Sequence, residues 1–225
     1  MDTDGTAARR ALLVAYLAVA LADLVAVATG TAWLAWVTKP LLMPLLAAYL
    51  LVRLGPVGPA WPVVVSLAFA CGGDIALLFD GDLAFVIGMA LVAGTNVAYL
   101  VAFVPAGALA GLRARWWIPA LYGLAWAALI AALYGRLSTV MLIGLAAYGV
   151  LLFAMASTAA GLDGWLGVGG LLFAASDMLI GLGTGGLTVT GQDAAVMALY
   201  AAGQAILVVR YAAVSAAGRA RAGIR

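Results

Sequence analysis

The sequence predicts an all-α, polytopic membrane protein of eight transmembrane helices, and three observations lead there. Of its 225 residues, 67% are hydrophobic and only 9% are charged, against roughly 25% charged in a soluble domain. The mean hydropathy is +1.18. Apolar runs close to the ~20 residues that cross a bilayer recur along the chain, with short, turn-rich connections between them. Backbone polar groups have no water to bond in hydrocarbon, so such runs must be helices. The whole chain, 1–225, reads as a single transmembrane domain.

The first run, 11–28, follows Arg9 and Arg10. That order fits a signal peptide, but the run is long for an apolar signal core and ends without a clear cleavage site. It is therefore read as a membrane helix. The second run, 33–53, opens on Trp33 and carries Pro40 and Pro44. The third, 61–79, starts at Trp61 after the turn sequence Gly55-Pro56-Val57-Gly58-Pro59, and the fourth covers 83–104. A fifth, 116–134, opens on Trp116 and Trp117; the sixth is 139–160. The seventh, 165–182, opens on Trp165, and the eighth, 193–214, follows the glycine-rich stretch 181–191. Tryptophan at these starts fits interfacial anchoring. The connections leave no room for a soluble domain.

Arginine sets the expected orientation. With the N-terminus inside, the inner side holds Arg9, Arg10, Arg53, Arg113, Arg115, Arg219, Arg221 and Arg225. Arg210 can snorkel to the same side, and the outer loops hold only Arg136. Both termini are thus expected in the cytoplasm of a bacterium, with the chain in its inner membrane. An internal echo accompanies this. The third segment reads Leu67-Ala68-Phe69-Ala70-Cys71-Gly72-Gly73-Asp74 and the seventh Gly170-Leu171-Leu172-Phe173-Ala174-Ala175-Ser176-Asp177. Both end a small-residue helix on an aspartate and run in the same direction, which suggests two parallel four-helix halves.

Composition narrows the chemistry. The net charge of +2 is small and the basic residues are scattered, which gives no nucleic-acid footprint. Cys71 is the sole cysteine, so no internal disulfide or multi-cysteine metal site can form. Histidine and glutamate are absent, leaving nine aspartates as the carboxylate side chains. No cofactor and no metal are expected. Lys39 is the sole lysine and lies within an apolar run.

An ionisable group in hydrocarbon costs roughly 2.5–3.5 kcal/mol on insertion scales, so each needs a reason. Asp23, Lys39, Asp74 and Asp177 fall within predicted helices. Each lies five or six residues from the outer end of its segment, which at ~1.5 Å per residue places all four about 8–9 Å below the outer surface. Tyr200 and Gln204 reach similar or slightly greater depth. A shared level is what one outward-opening polar pocket requires. The plainer alternative is an ion pair, Lys39 with Asp74 or Asp177, that merely ties helices together. Asp23 has no accompanying motif. Asp80, Asp82, Asp163 and Asp193 lie at helix ends or loops and read as structural, with Asp193 a candidate cap for the last helix. Close helix approach alone would explain Gly72, Gly73, Ala174, Ala175 and Ser176.

The ordered set Lys39-Pro40-x3-Pro44, Gly73-Asp74-Ile75-Ala76-Leu77-Leu78, Phe85-x2-Gly88, Ser176-Asp177-x-Leu179 and Tyr200-x3-Gln204 resembles the YhhN family. That family includes lysoplasmalogenase and its transmembrane relatives. The similarity covers the chain from the second helix to the eighth. One departure stands out: Asn96, in Gly94-Thr95-Asn96-Val97-Ala98-Tyr99, occupies a position where the family commonly has histidine.

The resemblance implies hydrolysis of the vinyl ether bond of a lysoplasmalogen, with a lysophospholipid entering from the surrounding membrane lipid. Asp74 and Asp177 are then the catalytic candidates, and Lys39, Asn96, Tyr99, Ser176, Tyr200 and Gln204 the substrate-binding ones. An enol ether hydrolyses when a proton reaches its β-carbon and water captures the resulting oxocarbenium ion. That needs one protonated carboxyl and one carboxylate. Desolvation favours the first and a nearby cation the second, so two aspartates of which one lies near Lys39 divide the work. Which is acid and which is base stays open. A transporter using the same aspartates is the alternative, and helices broken at Pro40 and Pro44 would suit it.

Overall fold

A computed structural model describes residues 3–56, 58–221 and 223, with side chains from residue 5 onward. Val57 of the predicted turn and Arg225 of the inner-side set lie outside the described residues. The described residues form helices α1 (Thr3–Thr29), α2 (Ala32–Leu54), α3 (Ala60–Ala76), α4 (Asp82–Phe103) and α5 (Ala108–Ala114). These are followed by α6 (Trp117–Leu133), α7 (Thr139–Leu162), α8 (Gly164–Thr184) and α9 (Gln192–Arg221). No strand occurs among them.

Each predicted segment is a helix, with instructive differences at the ends. Helix α1 begins eight residues before the predicted 11–28, because hydropathy does not register a polar helical extension. Arg9 there donates to Thr6 Oγ1 at 2.8 Å, one turn away. At its other end the chain, α9 runs seven residues past 214, where Arg219 donates to the orphan carbonyl of Leu54 at 2.9 Å. Helix α5 falls in a predicted connection; Gly107, at φ +102, starts it. The pair α5 and α6 bends by 91°. Helix α3 stops at Ala76, three residues before the predicted end. There Leu78 and Phe79 bond three residues back, to Ile75 and Ala76, and tighten the last turn.

Among the described residues, six helices are long and apolar enough to cross a membrane, or seven if the bent pair counts as one span. The 17 residues of α3 fall short of that length. Burial is organised for an apolar solvent. Helix α1 turns Leu17, Leu21 and Val25 outward while Tyr16, Asp23 and Ala26 are buried, the reverse of a soluble amphipathic helix.

The expected helix break at Pro40 and Pro44 does not occur: α2 passes through both. Pro44 has no N–H for the Pro40 carbonyl. The Cys71 thiol of α3 donates to that carbonyl instead, at 3.6 Å. A side chain from the neighbouring helix thus re-satisfies the freed group, as membrane helices with interior proline require.

The chain divides into two compact units, Met1–Ala102 with Val208–Arg225, and Phe103–Leu207. In the first, Ser66 Oγ donates to Thr95 O at 3.1 Å and Thr95 Oγ1 to Ser66 O at 3.4 Å, joining α3 to α4. Tyr211 of α9 donates to Pro59 O at 2.9 Å. In the second, α7 and α8 meet at Asp163, whose carboxylate accepts from the N–H groups of Trp165 and Leu166 and caps α8. Asp193 is not the cap expected of it. It lies in the first turn of α9, where its charge complements the helix dipole. The loop is instead held by Gln192, which accepts from Val189 N at 3.1 Å and donates to Leu179 O at 2.9 Å.

Candidate functional site

The candidate residues divide evenly between the units. Lys39, Asp74, Asn96 and Tyr99 belong to the first, and Ser176, Asp177, Tyr200 and Gln204 to the second.

In the first unit, the polar side chains line the buried faces of four helices. Lys39 Nζ lies 3.5 Å from Asp23 Oδ2, so the aspartate that carried no motif is an ion-pair partner of the lysine. Thr38 donates to the other oxygen, Asp23 Oδ1, at 2.6 Å. Asp23 is wholly buried and Lys39 21% exposed. Seven residues from Asp23, on the same side of α1, the buried Tyr16 lies within electrostatic reach of Asp74 and Tyr99. Asp74 itself is buried, and Gly73 before it lets α4 approach: a Cβ there would lie 2.8 Å from Val92 Cγ2. Tyr99 shares a side-chain hydrogen bond with Ser66. Asn96 is fully buried; its Nδ2 donates to Val92 O at 3.1 Å. Its Oδ1 meets no hydrogen-bond donor among the described residues.

In the second unit, Asp177 is half-buried on α8, and Tyr148 of α7 donates to its Oδ2. Its neighbour Ser176 is fully buried and donates to Val196 O of α9 at 2.9 Å. The Tyr200 ring stands 5.7 Å from that of Phe173, and Gln204 is buried one turn further along α9. Glycine makes this packing possible. A Cβ on Gly170 would lie 3.0 Å from Ala156 Cα, and one on Gly169 2.9 Å from Leu207 N.

Asp23, Lys39 and Asp177 lie six or seven residues from the end of their helices, about 9–10.5 Å along the axis. Asp74 lies two residues from the end of the shortened α3, about 3 Å. The tightened turn that follows it accounts for the difference.

Sequence reasoning missed three participants: Asp23 as the partner of Lys39, and the tyrosines Tyr16 and Tyr148. Tyr16 had a signal in its seven-residue spacing from Asp23, which puts both on one helix face. Tyr148 had only its phenol, a polar tip inside an apolar span. Among the described residues, no group of three or more aspartate or cysteine side chains is placed to hold a metal ion.

No curated protein and no solved structure matches the chain. The YhhN family matches it over residues 34–210, from α2 to the middle of α9 and across every candidate residue placed above except Tyr16 and Asp23. A match of that extent settles the kinship suggested by the motifs: the chain belongs to the YhhN family.

Proposed function

We propose that this protein is a membrane hydrolase of the lysoplasmalogenase type, cleaving the vinyl ether bond of a lysophospholipid. The observation that carries the reading is the Tyr148–Asp177 hydrogen bond within a YhhN-family match. It gives one of the two family-motif aspartates a phenol donor from the neighbouring helix of an apolar pair. Asp74, buried near Tyr16, is the second carboxyl.

The chemistry needs only such groups. A carboxylic acid protonates the β-carbon, the C=C π bond breaks, and an oxocarbenium ion remains. Water adds to its carbon and returns a proton to a carboxylate. The hemiacetal then collapses to a fatty aldehyde and a free glycerol hydroxyl, with one water consumed. Asp74 and Asp177 carry the two proton transfers. Lys39, Asn96, Tyr99, Ser176, Tyr200 and Gln204 hold the substrate.

The topology that accompanies this reading has eight spans in a bacterial inner membrane, both termini cytoplasmic. In this reading the bent pair α5–α6 counts as one span and the short α3, whose 17 residues rise about 26 Å, as another. The continuity of α2 through its prolines removes one of the two features that would suit a transporter, the other being an aspartate in each of two parallel halves.

The test is aldehyde release by purified protein from vinyl-ether, alkyl-ether and acyl lysophospholipids. The expected outcome is aldehyde from the vinyl ether, lost in Asp74→Asn and Asp177→Asn proteins that remain folded. A wild-type protein inert on all three lipids would sink the proposal.

A further inference from the structure

The second unit carries a cleft that the hydrolytic reading does not use. Its volume is about 430 Å³ and its lining is almost wholly apolar. Gly164, Gly167, Leu171, Ala174 and Met178 enter it from α8, at the three- and four-residue spacing of one helix face. Small residues on that face make the trough, α6 forms the opposite wall, and Phe153 of α7 contributes to the floor. From Gly164 to Met178 it extends about 21 Å along α8, longer than the roughly 15 Å of one leaflet of a 30 Å core. Neither Asp177 nor Tyr148 lines it.

One end differs from the rest. Arg115 is the sole charged residue in the lining, and its guanidinium donates to Gly161 O at 3.2 Å. That bond fixes the head in place and uses one of five donors. The exposed indoles of Trp116, Trp117 and Trp165 mark the same end of the unit as a membrane–water interface. A held cation at head-group level above a chain-length apolar trough is complementary to a molecule with an anionic head and a long acyl tail. The nearby carboxylate, Asp163, is turned to the N–H groups of Trp165 and Leu166.

We propose that this cleft is a binding site for an anionic phospholipid, its phosphate on Arg115 and one acyl chain along α8. The site is separate from the aspartates and goes beyond the hydrolytic reading; its occupant is a resident lipid, not the substrate.

Native mass spectrometry of the full chain tests it, with phosphatidylglycerol and phosphatidylcholine of matched chains as probes. Wild-type protein is expected to retain one phosphatidylglycerol at least tenfold more strongly than phosphatidylcholine. Arg115→Gln abolishes that preference and Arg115→Lys keeps most of it. Leu171→Trp, at a half-exposed position of the trough, reduces retention of both lipids without touching Arg115. Equal retention of the two lipids by wild type overturns the proposal, as does undiminished preference in Arg115→Gln. A dimer that Leu171→Trp dissociates would assign the cleft to a second copy of the chain and overturn it equally.

Discussion

Lys39 Nζ stands 3.5 Å from Asp23 Oδ2, and Thr38 donates to the other oxygen of the same carboxylate. The two members of this pair are not equally trapped. Asp23 has no exposed surface, whereas Lys39 is 21% exposed and has a flexible stem that can carry its charge outward. Breaking a buried pair costs most when the charge left behind cannot reach water. Lys39→Met should therefore cost about 3 kcal/mol and Asp23→Asn about 1 kcal/mol. The double substitution should be no worse than Lys39→Met alone. Thermal unfolding of the detergent-solubilised variants checks this. Equal and additive losses would show that the pair contributes no coupling.

Tyr148 and Asp177 give a second prediction. A hydrogen bond to a charged group contributes about 1.5–3 kcal/mol, and each 1.36 kcal/mol is tenfold in rate. Tyr148→Phe should lower aldehyde release about 10- to 100-fold without unfolding the protein. Asp177→Asn removes the proton-transfer group itself, so its loss should reach 10²- to 10⁴-fold. Full activity in Tyr148→Phe would separate the phenol from the chemistry.

Hydropathy made the helices legible, since the physics of a span is a run of apolar residues, and the eight predicted segments lie on eight of the nine described helices. It could not see α5, whose seven residues follow Gly107 at a positive φ. Nor could it see that α3 tightens after Ala76, which leaves Asp74 two residues from the end of its helix. The site was legible as residue types. Aspartate and lysine inside apolar runs announce themselves by their cost. Their partnerships were not, because Lys39 meets Asp23 through the packing of α1 on α2. That contact depends on the rotation of each helix about its axis. The same holds for Cys71, whose thiol serves the Pro40 carbonyl only in three dimensions.

Close helix approach supplies a third prediction. A Cβ on Gly203 would lie 2.8 Å from Phe173 N and 3.0 Å from Gly169 O, both backbone atoms that cannot swing aside. Gly203→Ala should force α9 away from α8 and cost about 1–3 kcal/mol. Gly123 of α6 has nothing within 4 Å of the same position. There Gly123→Ala should be neutral or stabilise by up to about 1 kcal/mol through helix propensity. Matched melting curves of the two variants decide it. A Gly203→Ala protein as stable as wild type would mean that the two helices separate at no cost.

Asn96 supplies the last. Its Nδ2 is bonded to Val92 O, but Oδ1 is buried and meets no donor among the described residues. A buried unsatisfied acceptor costs about 1–3 kcal/mol. If packing alone mattered, leucine would serve better. Asn96→Leu should accordingly keep its stability or gain about 1 kcal/mol. The acceptor is instead expected to receive a hydrogen bond from the substrate or the attacking water, so the same variant should lose about tenfold in aldehyde release, the equivalent of a hydrogen bond of about 1.4 kcal/mol. Asn96→His restores an acceptor through its unprotonated ring nitrogen and should retain activity. Stability gained together with activity lost separates a working acceptor from a packing residue. Wild-type turnover in Asn96→Leu would reduce Asn96 to a space-filling side chain.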